Sequence, residues 1–74
     1  MAVTYPMQLP ERLKQIMYER DISQVILAEE LGVTQGTVSH WMNGRHEPRA
    51  CHIIDMCMLF GVTADWLLGM DRML

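Results

Sequence analysis

From Leu9 onward, apolar residues return at intervals of three and four along the chain. Leu9, Leu13, Ile16 and Met17 form a first stripe, with Glu11, Arg12, Lys14, Gln15 and Glu19 on the other side. Leu27, Ala28 and Leu31 form a second, Val38 and Trp41 a third, and Ala50, Ile53, Met56, Cys57 and Phe60 a fourth. This is the spacing of helices that each bury one face. Apolar and polar residues nowhere alternate for long, so strands are not expected.

Punctuation residues divide the stripes. Pro10 suits the first position of a helix, where its missing N–H would be unpaired anyway. Arg20-Asp21-Ile22 is the expected break. Ser23 can cap a second helix with its hydroxyl, and Gly32 can close it in a left-handed conformation. Thr34 can cap a third helix that runs to Asn43 and stops at Gly44. A polar link, Arg45-His46-Glu47, leads to Pro48 and a fourth helix from about Arg49 to Phe60, ended by Gly61. Thr63 then caps a short fifth helix, Ala64 to Leu68, closed by Gly69. The expected fold is all-α, five helices with short connections, with residues 1–8 as an arm, 9–69 as the domain and 70–74 as a tail.

The second and third helices are separated only by Gly32-Val33-Thr34, too little for an antiparallel return. They must cross steeply as a helix-turn-helix, with Ala28 small where the third helix passes over it. Leu27, Leu31, Val33, Val38 and Trp41 are available to fill the wedge. At about 100° per residue, Val38 and Trp41 lie on one side of the third helix and Gln35, Gly36, Ser39, His40 and Asn43 on the other. That outward face is polar but nearly uncharged, where a helix packed only for stability usually carries Glu and Lys. Amides and hydroxyls suit base edges: Gln can pair bidentately with adenine, and Ser or Thr can donate or accept.

Residues 23–49 resemble the helix-turn-helix of the lambda-repressor-like family, which includes Cro proteins and phage repressors. The shared positions are Ser23-Gln24, Leu27-Ala28, Leu31-Gly32-Val33, Val38, Trp41, Asn43-Gly44 and Pro48, continuing through Gly61-Val62-Thr63 and Asp65-Trp66-Leu67-Leu68-Gly69. The resemblance implies that the third helix enters the major groove N-terminus first. It makes Gln35 the base-reading glutamine, with Thr34, Gly36, Ser39 and His40 as further readout positions. Gln24, Thr37 and Asn43 fall where the family touches the DNA backbone. Gly36 departs from the longer side chain many members place there. It either leaves room for a base methyl group or shortens the readout. His40 is open between a base or phosphate contact and a surface histidine without a role.

Net charge is −3 from six Lys and Arg against nine Asp and Glu, which at first sight opposes a nucleic-acid partner. Phosphate affinity depends on local charge, however. Arg45, His46 and Arg49 cluster after the third helix with a single acid, Glu47, among them. That makes Arg45 and Arg49 candidate backbone contacts. Many of the acids, among them Glu29, Glu30, Asp55, Asp65 and Asp71, fall on the back of the second helix or in the last third of the chain.

Other chemistry is thin. There is no carboxylate pair, nucleophile–base set or glycine-rich phosphate loop, so an enzyme is not expected and no cofactor is implied. Cys51, His52 and Cys57 match no common zinc spacing and point in different directions on one helix, so no metal is expected. Six helical residues span roughly 9 Å, too far for a Cys51–Cys57 disulfide. No apolar run approaches the roughly 20 residues of a membrane span, and residues 1–10 do not read as a secretory signal. The expected compartment is the bacterial cytosol or nucleoid.

A sequence-specific repressor acting on a pseudo-palindromic operator is therefore expected, binding double-stranded DNA as a homodimer. Its two recognition helices would enter major grooves roughly 34 Å apart. Trp66, Leu67 and Met70, in an end more apolar than a free terminus should be, are the candidate dimer contacts, with Trp66 packed on the first or fourth helix in a monomer. The alternative is a protein-interaction module, such as an antitoxin or antirepressor target, with Val25 and Ile26 in the first turn of the second helix as the contact. The end just beyond Leu67-Leu68-Gly69 leaves open a complete Cro-like protein or the first half of a longer repressor.

Overall fold

A computed structural model of the protein describes residues 8–72. The expected arm lies outside the described residues except for Gln8, as do Met73 and Leu74 of the tail. Five α-helices follow in order: α1 Leu9–Arg20, α2 Gln24–Leu31, α3 Gln35–Met42, α4 Ala50–Phe60 and α5 Ala64–Leu68. Beyond them the chain makes a 3-10 turn at Met70–Arg72, where the sequence suggested only a tail. No strand occurs among the described residues. No helix among them is long and apolar enough to cross a membrane.

The cap residues act as their chemistry predicts. Ser23 Oγ accepts the Ile26 N–H at 3.2 Å, Thr34 Oγ1 the Thr37 N–H at 3.1 Å, and Thr63 Oγ1 the Trp66 N–H at 3.1 Å. Each fills one of the orphan donors at a helix start. The ends shift by a residue: α1 begins at Leu9, with Pro10 behind it, and α3 stops at Met42, leaving Asn43 as its C-cap. Arg49 and Gln8 precede their helices without a side-chain cap bond.

One core joins all five helices. It contains Leu9, Leu13, Ile16 and Met17 from α1, Leu27 and Ala28 from α2, Val38 and Trp41 from α3, Met56 and Phe60 from α4, and Leu67 from α5. Helix α1 packs on α3 and α5, and α2 packs on α3 and α4. Burying a Leu or Phe side chain contributes about 1.5–3 kcal/mol, so this cluster fixes the helices relative to each other. Ala50 does not join the α4 stripe and is exposed. At about 100° per residue it lies roughly 120° around the helix from Met56, outside the buried arc. Ile53 and Cys57 flank that arc and are half-buried.

Leu67 corrects the expected dimer surface. Its side chain is fully buried in the core, so it has no surface to offer a second subunit. Trp66, next to it, is half-buried against α1: the Arg12 guanidinium lies 4.7 Å from its ring centroid and donates to its carbonyl at 3.0 Å. Arg12 also pairs with Asp71 at 3.4 Å, and the Gln8 N–H donates to the Leu68 carbonyl at 3.1 Å. A Cβ on Gly69 would sit 3.0 Å from Gln8, so this closure needs glycine there. Both ends of the domain are thereby held together, behind α1.

Candidate nucleic-acid interface

The turn between α2 and α3 is built from backbone hydrogen bonds. Gly32 adopts φ 70° and ψ 32°, a left-handed conformation that costs a β-carbon-bearing residue roughly 1–2 kcal/mol. In that conformation the Gly32 N–H donates to the Glu29 carbonyl at 3.3 Å and the Val33 N–H to the Ala28 carbonyl at 3.0 Å. The chain then extends through Thr34, φ −85° and ψ 157°, and enters α3 at once. Leu27, Val38 and Trp41 fill the wedge as buried residues, with Leu31 and Val33 half-buried at its edge. The inward side of α3 is thus fixed by Val38 and Trp41.

Its other side is open. Thr34, Gln35, Gly36 and Asn43 are exposed, while Thr37, Ser39 and His40 are half-buried. The hydroxyls of Thr34 and Thr37 lie 2.9 Å apart, and Asn43 Nδ2 donates to Ser39 Oγ at 3.4 Å. These bonds order the face at both ends before any ligand arrives, and Gln35 between them has no such tie among the described bonds. Gln24 is half-buried at the start of α2, and Arg45 and Arg49 are exposed after α3.

Gly36 is not required by the backbone. Its φ lies outside the left-handed region, and a Cβ there would meet only Thr34 Oγ1, at 3.8 Å. A glycine within a helix costs about 1 kcal/mol relative to alanine. Nothing in the fold offsets that cost at this position.

Two features were not evident from residue spacing. Arg12, on the polar side of the first helix, is committed to Trp66 and Asp71 and faces the chain's end. His40 and His46 come together across the loop, ring centroids 5.0 Å apart, and His52 stands near Trp41 at 5.2 Å. The regular interval of the histidines, 40, 46 and 52, was the signal available for this grouping. Val25 and Ile26 are exposed by 48% and 45%, and Ile26 lines a recess with Tyr18, Ile22 and Met42. Both cysteines are free thiols; Cys51 is exposed, and partial burial raises the pKa of Cys57.

The sequence model of the helix-turn-helix family matches residues 13–67, most of the chain and all of the interface described above. The chain belongs to the helix-turn-helix family. A transcriptional regulator from Listeria innocua superimposes with a TM-score of 0.82 at 28% identity, over 85% of this chain and 59% of that one. The P22 c2 repressor bound to a synthetic operator gives 0.76 at 23% identity, over 81% and 91%, a likeness of fold. In sequence, the HTH-type transcriptional activator BcrR of Enterococcus faecalis is 29% identical over 68 residues, covering 92% of this chain and 33% of BcrR. The uncharacterized protein YffS of Escherichia coli is 47% identical over 32 residues, 43% of this chain and 12% of YffS. The chain therefore spans at most a third of either curated relative. Family and fold agree: the chain is a helix-turn-helix domain with a fold like that of the P22 c2 repressor.

Proposed function

We propose that this domain reads double-stranded DNA sequence-specifically with the outer face of α3 and represses transcription by occupying an operator as a homodimer. The observation that carries this reading is the ordered, polar and nearly uncharged outer side of α3, set behind the buried Val38 and Trp41. Gln35 is placed for a base edge, with Thr34, Gly36, Ser39 and His40 around it. Gln24, Thr37, Asn43, Arg45 and Arg49 surround them as contacts to the sugar-phosphate backbone. The N-terminal N–H groups of α2 and α3 can add phosphate contacts.

The relatives' names point both ways, a c2 repressor on its operator and an activator. Repression by occupancy needs only the interface described above, whereas activation needs a second surface. For the dimer, Trp66 and the half-exposed Met70 remain as contacts, and a domain this small gains from a partner. Paired recognition helices would then meet a pseudo-palindromic site.

The decisive experiment is selection of bound duplexes from a random pool. Enrichment of an inverted repeat with half-sites about one helical turn apart is expected. A pool that shows no enrichment would remove sequence-specific reading. A second reading, docking of a protein through Val25 and Ile26, is favoured only by the apolar recess beside Ile26. Loss of a protein partner but not of DNA on Ile26→Lys would establish it.

A further inference from the structure

The loop after α3 does more than end the helix. It curls back so that the N–H groups of Arg45 and His46 both donate to the His40 carbonyl, at 2.9 and 3.5 Å. That return brings the His46 ring to 5.0 Å from the His40 ring, the planes tilted by 58°. Beside the pair, a recess opens between α3, the loop and the start of α4. Its polar lining is Thr37, His40, His46, Glu47, Arg49 and His52. His52 Nδ1 is the one buried side-chain nitrogen or oxygen without a hydrogen-bond partner among the described residues.

Its charge is set in an unusual way. Arg49 and Glu47 are the permanent charges in the lining, and they cancel. Helix α3 contributes no titratable group besides His40. Helix α4 brings His52, while its Cys51 and Asp55 are on the exposed side, and Arg45 adds one positive charge in the loop. What remains is three imidazoles, the side chain whose charge changes between about pH 5 and 8. Protonation decides how far the recess is cationic beyond the single charge of Arg45.

We propose that this recess seats a backbone phosphate of the duplex, and that protonation of His40 and His46 sets its hold. The proposal rests on α3 being the DNA-facing helix, since Thr37 and His40 belong to both surfaces. Two imidazolium ions this close repel each other in the free protein. A phosphate against them supplies the opposite charge and accepts charge-assisted N–H donors, the stronger class of hydrogen bond. Proton uptake and DNA binding then favour each other by linkage. In a chain of net charge −3, protonation adds to the local positive charge of the recess.

The test is fluorescence anisotropy with a labelled mixed-sequence duplex at fixed ionic strength, from about pH 8 down to pH 6. Affinity is expected to rise about tenfold over that range, a net uptake of roughly one-half proton per duplex bound. His46→Gln, on an exposed loop position, should remove about half of that slope or more. By NMR, the titration midpoints of His40 and His46 should move to higher pH on adding duplex, and much less on adding inorganic phosphate. Duplex binding that is flat with pH would overturn the phosphate seat and leave the DNA reading standing. No duplex binding at any pH would overturn both. A slope unchanged in His46→Gln would remove the histidine pair. Midpoints moved as far by inorganic phosphate, with flat duplex affinity, would make this a site for the free ion and end the assignment to DNA.

Discussion

Helices α3 and α4 are built alike on the inside and differently on the outside. Each buries two residues in the shared core, Val38 and Trp41 from one, Met56 and Phe60 from the other. Outward, α3 shows amides, hydroxyls and an imidazole, ordered by side-chain hydrogen bonds. Helix α4 shows Ala50, Cys51, Ile54, Met58 and Leu59, with Asp55 as its one charged group. The inward faces are interchangeable in kind and specify the fold. The outward faces are not: the first is polar and nearly uncharged, the second apolar with a single carboxylate. Position on the fold and chemistry of the exposed face are therefore separate questions, and substitution can address them separately.

The largest effects should be equal on the two helices. Trp41→Ala and Phe60→Ala each remove a fully packed aromatic side chain and should cost about 3–5 kcal/mol. A core of this size supplies roughly that much in total, so both variants should be largely unfolded by circular dichroism at room temperature. A folded, cooperative Phe60→Ala would show that α4 is less a part of the core than α3.

Outward substitutions should then separate the helices. Gln35→Ala should leave the urea midpoint nearly unchanged, weaken binding to the selected duplex by about 1–3 kcal/mol and relax preference at one base pair per half-site. Unchanged affinity and preference would mean that α3 is not the reader. Arg45→Ala should act on all sequences alike. The slope of log affinity against log salt should flatten by about one, because one phosphate contact is lost. A loss confined to the selected site would move Arg45 from the backbone to the bases.

The fold was legible in the sequence wherever the signal was local. Ser23, Thr34 and Thr63 cap their helices, and Gly32, Gly61 and Gly69 close theirs, because those roles depend on a few neighbouring residues. Leu67 was misplaced on the surface because a five-residue helix makes too little of a turn for spacing to define its buried side. The Arg12 tie to Trp66 and Asp71 bridges sequence separations of 54 and 59 residues, and no local pattern encodes it. The candidate readout face was legible because it is the complement of a buried pair. The histidine recess draws on three elements and was visible only as an interval.

Gly36 sharpens the contrast in the opposite sense. Gly36→Ala adds helix propensity in open space and should stabilise the domain by about 0.5–1 kcal/mol, read as a higher urea midpoint. If the glycine is there because a base edge approaches α3 closely, the same variant should bind DNA more weakly or prefer a different site. Stabilisation with unaltered binding would leave Gly36 without a role in readout.

The smallest effect should fall on α4. Met58 is exposed by 79%, and Met58→Gln should change stability by less than about 0.5 kcal/mol, since surface positions away from special features rarely do more. It should leave duplex affinity and the salt slope unaltered, because the Met58 side chain can pair with neither a phosphate nor a base. Sedimentation of the wild type and the variant completes the measurement. If Met58→Gln dissociates an assembly and lowers duplex affinity with it, the α4 face acts in DNA binding through subunit pairing, and the two helices share a task that their outer chemistry divides. If mass and affinity both stay as they were, reading belongs to α3 and the apolar side of α4 is dispensable for it.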